Sequence, residues 1–241
     1  MHDAVRQWLR DASSITVLTG AGVSAESGVP TFRGGTLGNQ GLWKQYRAED
    51  LATPEAFARD PKLVWEWYDW RRSLIAQAKP NPGHYALASA ESSARKFTLV
   101  TQNVDGLHEL AGSRNVLRLH GSIWMLRCVE CRREREDRRT PLPEIPPRCE
   151  CGGMLRPGVV WFGEALPQRI WQEAEKAARE ADLFLLIGTS AMVYPAAGLA
   201  TMAKSAGARV VEINIAETGL SDSIDEFLQG SSGELLPQLI A

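Results

Sequence analysis

Cysteine is missing from most of the chain: among 241 residues there are four, Cys128, Cys131, Cys149 and Cys151, all in one short segment. That clustering excludes a disulfide framework spread through the fold, and it excludes a reactive thiol elsewhere. Neither sign of charge prevails. Lys and Arg number 27 against 29 Asp and Glu, so no global basic field points to nucleic acid or an anionic membrane as partner. The opening residues, MHDAVRQWLRDA, lack the cationic and apolar regions of a secretory leader and read as an amphipathic helix carrying Val5, Trp8, Leu9 and Ala12. Together with the clustered thiols, this predicts a cytoplasmic protein.

Uninterrupted apolar runs are also lacking. Residues 183–203, LFLLIGTSAMVYPAAGLATMA, are uncharged for long enough to span a bilayer, yet Gly188, Thr189, Ser190 and Pro195 break them. The stretch therefore reads as a buried parallel strand, a turn and a helix, and no membrane association is expected. What is present is an ordinary globular mixture, 44% apolar and 23% charged, long enough for one large domain with a small module.

Apolar strand-like runs occur at residues 13–20, 96–103, 182–190 and 208–214, each ending in Gly, Asn, Ser or Thr and separated by helical patterns. Such alternation predicts a doubly wound α/β fold with a parallel sheet, whose ligands bind at the carboxyl ends of the strands. Two segments break the alternation: an aromatic-rich helical stretch within residues 38–80, and the charged, cysteine-bearing residues 121–160. Both read as insertions that form a smaller lobe. The Rossmann-like lobe would then take about residues 1–37, 81–120 and 161–241, within a single catalytic domain of 1–241.

Several motifs carry chemistry. TGAGVSAESGVPTFRG, residues 19–34, runs from a strand into Gly20, Ala21 and Gly22, where a bare backbone could approach a diphosphate; a plain tight turn explains it as well. It departs from G-x-G-x-x-G, and no acidic residue closes a second strand as in a dehydrogenase. TQNVDGLHELAG, residues 101–112, sets Gln102, Asn103 and Asp105 at a strand end, although Asp105 could serve simply as a helix cap. In LRLHGSIW, residues 117–124, His120 ends a short apolar strand; it is either a satisfied structural histidine or a general base. Of the other histidines, His84 stands at a helix start, His108 inside a helix and His2 at the terminus. The spacing C-x2-C-x17-C-x-C is that of a tetrahedral Zn2+ site, and four thiolates leave no open position, so one structural zinc is expected.

Taken together, GAGVSAESGVPTFRG, TQNVDGLHELAG, LHGS, the paired cysteines, GVVWFGEALP, GTSAMVYPA and EIN resemble the motif series of the sirtuins, in order, over about residues 13–232. That resemblance implies an NAD-dependent protein deacylase that acts on acylated-lysine proteins or peptides and consumes NAD as co-substrate. Nicotinamide and O-acyl-ADP-ribose would be released. By matching motif, Gly20, Ala21, Gly22, Glu26, Thr31, Phe32 and Arg33 would hold the NAD phosphates and enclose the nicotinamide side. Gln102, Asn103 and Asp105 would hold nicotinamide and its ribose, and His120 would be the catalytic base. Gly188, Thr189 and Ser190 would face the cofactor, Asn214 the adenosine ribose, and Ser232 the adenine. Val160, Trp161, Phe162 and Gly163 would pair with the substrate backbone as an added strand.

Two features depart from the common pattern: GGTLGNQGLW, residues 34–43, is longer than usual, and Ser232 stands where many sirtuins have alanine. A third feature narrows the substrate. Tyr68 and Arg71 in WEWYDWRRS share one helical face and resemble the Tyr-x-x-Arg pair of the class III, desuccinylase and demalonylase type. A guanidinium and a phenol suit an acyl carboxylate; the alternative is a helix covering a core. Two other functions stay open from the residues: ADP-ribosyl transfer to protein in the same cleft, and a non-enzymatic NAD- or zinc-binding module. A monomer is expected.

Overall fold

The structure is a computed structural model that describes residues 2–31, 48–92 and 96–240. In chain order its strands are β1 (Ser14–Thr19), β2 (Lys96–Thr101), β3 (Val116–Arg118), β4 (Gly121–Cys128), β5 (Glu134–Glu136), β6 (Leu155–Val159), β7 (Leu183–Ile187), β8 (Arg209–Asn214) and β9 (Glu226–Gln229). The helices are α1 (Asp3–Asp11), α2 (Ala21–Ala25), α3 (Ala48–Leu51), α4 (Pro54–Arg59), α5 (Pro61–Gln77), α6 (Pro82–Ser92), α7 (Leu107–Leu110), α8 (Gln168–Arg179), α9 (Gly198–Ser205) and α10 (Ser232–Ile240).

Six strands form a wholly parallel sheet in the order β3-β2-β1-β7-β8-β9. This is the doubly wound order, because the chain builds outward from β1 in one direction and then returns to add β7, β8 and β9 on its other side. The switch falls between β1 and β7, where the loops leaving the two carboxyl ends diverge and open a crevice. Both faces of the sheet are covered, and the strands show it. In β7, Leu183, Leu185 and Ile187 join one apolar cluster with α1, α6 and α10, while Phe184 and Leu186 join another with α8 and α9. Fully burying each such side chain stabilises the fold by about 1.5–3 kcal/mol. The stretch 183–203 resolves into β7, a turn and α9, and no described helix is long and apolar enough to cross a membrane.

The smaller lobe has its own antiparallel sheet, in the order β5-β4-β6, and its own core of Val64, Trp65, Ile75, Ile123, Leu126 and Leu155 among others. Helix α5 begins where Asp60 accepts the Leu63 N–H at 3.0 Å and Pro61 fits the first turn. It is fixed to the sheet by polar contacts as well as by apolar ones. Trp65 Nε1 donates to the Leu155 carbonyl at 2.8 Å, and the fully buried Arg72 donates to the carbonyls of Ile123, Asp137 and Arg139. Asp137 lies 4.0 Å from the guanidinium, so this buried charge is both paired and hydrogen-bonded.

Candidate functional site

The crevice is a cavity of about 610 Å³ between the two lobes. The end of β1 and the start of α2 supply Gly20, Ala21 and Gly22, and the C-cap of α2 and the segment after it supply Glu26 and Thr31; the residues just after β2 and β3 supply Gln102, Asn103 and His120. The end of β7 adds Gly188, Thr189 and Ser190, β8 adds Asn214, and α10 adds Ser232. From the small lobe come Tyr68 and Arg71 of α5 and, just after β6, Val160, Trp161, Phe162 and Gly163. Phe32, Arg33 and the long 34–43 segment lie outside the described residues.

The floor is bare backbone. Gly22 N–H donates to the Gly188 carbonyl at 2.8 Å, and Gly20 N–H to that of Ile187 at 3.0 Å. A Cβ on Gly22 would stand 2.8 Å from the Gly188 Cα. Gly188 itself has φ +58°, and a Cβ there would stand 2.5 Å from the Val23 nitrogen. Two strand ends can meet this closely only without side chains, which is what a diphosphate lying against main chain needs.

Around the floor, polar groups brace one another. Gln102 Nε2 donates to Thr189 Oγ1 at 3.0 Å, Asn103 Nδ2 to the Gly20 carbonyl at 3.0 Å, and Asn214 Nδ2 to the Thr189 carbonyl at 2.8 Å. Glu26 accepts from Ser231 Oγ at 2.8 Å, from Gly233 N–H at 2.7 Å and from Ser232 Oγ at 3.3 Å, which ties α2 to the start of α10. Asp105 differs from the other site candidates because it does not line the cavity. One carboxylate oxygen caps α7 through Leu107 N–H and the other accepts from Ser24 Oγ, both at 2.8 Å. From the position before the Gly106 N-cap it thus satisfies the first amide of α7 and buttresses the wall from behind. Burial raises its pKa against those two hydrogen bonds.

His120 has a defined tautomer. Its Nδ1 lies 3.0 Å from the Gln102 carbonyl, which can only accept, so Nδ1 carries the proton and Nε2 keeps its lone pair. Burial pushes its pKa down, and the hydrogen bond to Gln102 offsets part of that. A neutral imidazole with an open nitrogen in a cleft is equipped to take up a proton.

At the small-lobe end, Tyr68 and Arg71 are almost wholly buried, yet both face the cavity. Burial drives the Tyr68 phenol up to about 12, which keeps it protonated, and it drives the Arg71 guanidinium down against the pull of Tyr68 and Asp105. Arg71 also sits over the Trp67 ring, 5.2 Å from its centroid. Val160 and Trp161 continue irregularly from β6 into a turn at Phe162 and Gly163. Val160 N–H donates to the His120 carbonyl, Trp161 N–H to Glu164 and Phe162 N–H to the Ala52 carbonyl, at 2.8–2.9 Å. The Phe162 ring is left exposed.

The four cysteines stand apart, at the end of β4 and in the loop before β6. Their Sγ atoms lie within 4.8 Å of one another, with Cys128–Cys151 at 3.6 Å and Cys131–Cys149 at 3.8 Å. A tetrahedral zinc with sulfur at about 2.3 Å requires Sγ separations of about 3.8 Å, so the set fits that ion. The Arg133 N–H and guanidinium hold the Cys131 thiol well below its ordinary range, while the neighbouring thiols push Cys151 up to about 11, so without a cation the cluster gives up its protons unequally.

Single-residue reading of the sequence did not find Ser24, His84 and His108. Ser24 joins Asp105, with His84 Nε2 at 3.5 Å, and His108 Nε2 lies 3.0 Å from Thr19 Oγ1. The two imidazole rings pack at 4.8 Å, and burial lowers His84 to about 4 and His108 to about 3. Each looks unremarkable in its own helix; only the meeting of α6 and α7 makes them a pair.

Comparison with known proteins gives concordant findings. The Sir2 family model matches residues 20–195. An NAD-dependent protein deacylase of Aquifex aeolicus (strain VF5) is 58% identical over 213 residues, covering 88% of this chain and 87% of the relative. A solved Sir2 homolog–NAD complex superposes with a TM-score of 0.94 at 46% identity, covering 100% of this chain and 93% of that one. A mutant Sir2 homologue in complex with 2'-O-acetyl ADP ribose gives 0.93 at 46% identity, covering 100% and 95%.

Proposed function

This chain belongs to the Sir2 family, and on that premise we propose that it is an NAD-dependent protein-lysine deacylase that favours short acidic acyl groups. What carries the reading is the placement of His120, its Nε2 open, in the same cavity as the Gly20–Gly22 and Gly188 backbone floor and the Tyr68–Arg71 pair. NAD, when bound, supplies the ribosyl carbon that the acyl oxygen attacks as nicotinamide leaves. The chain's residues bind and orient. The glycine floor receives the diphosphate together with Ala21, Thr31 and the segment that includes Phe32 and Arg33. Gln102 and Asn103 address the nicotinamide end, with Asp105 holding Ser24 and α7 behind them. Thr189, Ser190, Asn214 and Ser232 address the adenosine end, and Glu26 fixes the start of α10. His120 Nε2 takes the proton of a ribose hydroxyl.

The peptide backbone would lie along residues 160–163. The Val160, Trp161 and Phe162 amides already have acceptors, so an added strand would rest on carbonyls and on Gly163. At the far end Tyr68 and Arg71 would receive the acyl carboxylate. The four thiolates would hold one Zn2+ as a structural clasp, since a filled tetrahedral shell offers no position for water. Reduced thiols in that clasp suit a cytosolic setting.

The test is one lysine peptide bearing acetyl, malonyl, succinyl or glutaryl groups, followed by mass spectrometry with and without NAD. NAD-dependent release of free lysine with matching nicotinamide is expected, faster for the acidic acyl groups. No release from any peptide would end the deacylase reading, and equal rates would end the acidic preference alone.

A further inference from the structure

Beside Tyr68 and Arg71 stands a chain of side-chain contacts, from Glu164 through Arg156 to the Trp161 indole, that the deacylase reading leaves without a role. Glu164, which also lines the cavity, receives both terminal nitrogens of Arg156, one at 2.8 Å, and accepts the Trp161 N–H at 2.8 Å. The Arg156 guanidinium is buried and lies over the Trp161 ring, its Cζ 3.4 Å from the centroid, while a third contact ties it to the Val159 carbonyl at 3.1 Å. Phe57 packs on the same indole at 5.2 Å. Packed between Arg156 and Phe57, the indole directs its Nε1–H at the Tyr68 oxygen, 3.0 Å away.

The direction of that last hydrogen bond matters. An indole N–H can only donate, so the Tyr68 oxygen accepts from it and the phenol's own proton is left to be given elsewhere. A tyrosine without such a partner can turn its hydroxyl either way and meet donors or acceptors alike. A cation stacked on the indole withdraws electron density and makes its N–H a stronger donor.

We propose that Glu164, Arg156 and the Trp161 side chain are positioning residues that preset Tyr68 as a hydrogen-bond donor, so that the acyl pocket selects acyl groups ending in an acceptor such as a carboxylate. The proposal rests on the acidic-acyl reading and gives it a cause. Arg71 supplies charge and Tyr68 supplies a donor, and Arg156 acts on the acyl group through the indole without touching it. Arg156 also neutralises Glu164, whose bare carboxylate would repel an acidic acyl chain at the cavity wall.

The experiment measures the succinyl-to-acetyl ratio of kcat/KM for matched peptides in the wild type, Trp161→Phe, Arg156→Lys, Tyr68→Phe and the Trp161→Phe/Tyr68→Phe double variant. Trp161→Phe keeps a ring under Arg156 and removes the donor; Arg156→Lys keeps a positive charge beside Glu164 and loses the guanidinium–indole contact. Both should lower the ratio about three- to tenfold, the range of one hydrogen bond. In the Tyr68→Phe background, Trp161→Phe should change the ratio no further, whereas a merely structural indole would lower it again. If Tyr68→Phe lowers the ratio and Trp161→Phe leaves it at the wild-type value, or if the two losses add in the double variant, the proposal is overturned and the acidic-acyl reading stands. If Tyr68→Phe leaves a high wild-type ratio unchanged, the proposal is overturned alone; if the wild type itself shows no preference for succinyl, the acidic-acyl reading fails and takes the proposal with it.

Discussion

His120 can remove a proton only while its Nε2 is bare, and two features of the structure keep it so. The Gln102 carbonyl holds the other nitrogen's proton, and burial disfavours the imidazolium. Replacing His120 with Ala should therefore cost about a hundredfold to ten-thousandfold in deacylation rate, with NAD binding retained, as measured by peptide turnover and by titration of NAD. Near-wild-type turnover would remove His120 from the base role. The pH profile follows with a definite sign. A base whose pKa is depressed below 6.5 is already neutral there, so the acid limb of kcat/KM should fall below pH 6.5. At the other end of the cavity the residues face a different choice. Arg71→Met keeps most of the apolar stem but gives up the charge, and Tyr68→Phe gives up one hydroxyl. A charge-assisted hydrogen bond contributes about 1.5–3 kcal/mol, so Arg71→Met should lower succinyl relative to acetyl turnover about ten- to a hundredfold in kcat/KM. A core-filling arginine would lower both equally, and that result would withdraw the acidic-acyl specificity.

Elements differ in how openly the sequence announces them. β1, β2, β7 and β8 are buried on both faces, so each is a run of apolar residues closed by Gly, Asn, Ser or Thr, and each is visible without structure. β9 is an edge strand with Leu228 as its one fully buried residue, and SIDEFLQG has no alternation to give it away. The small sheet is harder still. β5 reads Glu-Arg-Glu and is fully exposed, and β4 and β6 meet only through antiparallel pairing across an intervening loop that the cysteines close. Arg71 and Arg72 show the same limit at one point of α5: adjacent in sequence, one faces the cavity and the other is sealed against Ile123, Asp137 and Arg139. Only the packing of α5 on β4 separates their tasks. The cysteines were legible because zinc imposes a spacing on the sequence, and they set an expectation for this module. Elemental analysis should find one zinc per chain, and Cys149→Ser should release it and lower the thermal midpoint, since three thiolates no longer join β4 to the loop before β6. A metal-free chain of unchanged stability and activity would show the cysteines to be incidental.

At the scale of the molecule, the switch-point crevice is stiffened from below by groups that no single motif reveals. His84 on α6 and His108 on α7 pack together at the carboxyl end of the sheet, against Ser24 and Thr19, and both are kept neutral by burial. Their folded pKa values, about 4 and about 3, lie below the unfolded value near 6.5. In the window between, the unfolded chain binds protons that the folded chain refuses. Stability therefore rises with pH, is fully present above about 6.5, and is lost as pH falls toward 4. Each histidine should cost about 2 kcal/mol by pH 5, a sizeable share of a domain's 5–15 kcal/mol. Asp105 pulls the other way, because burial raises its pKa and the folded form accepts a proton earlier. A comparison between variants separates the two effects. Urea unfolding of wild type and His108→Gln at pH 7.5, 6.5, 5.5 and 5.0 should show the wild type losing stability more steeply, with the curves converging at low pH even if the variant is weaker at pH 7.5. Parallel curves would mean that the pair is already charged in the fold, and the neutral buried network beneath the cleft would have to be given up.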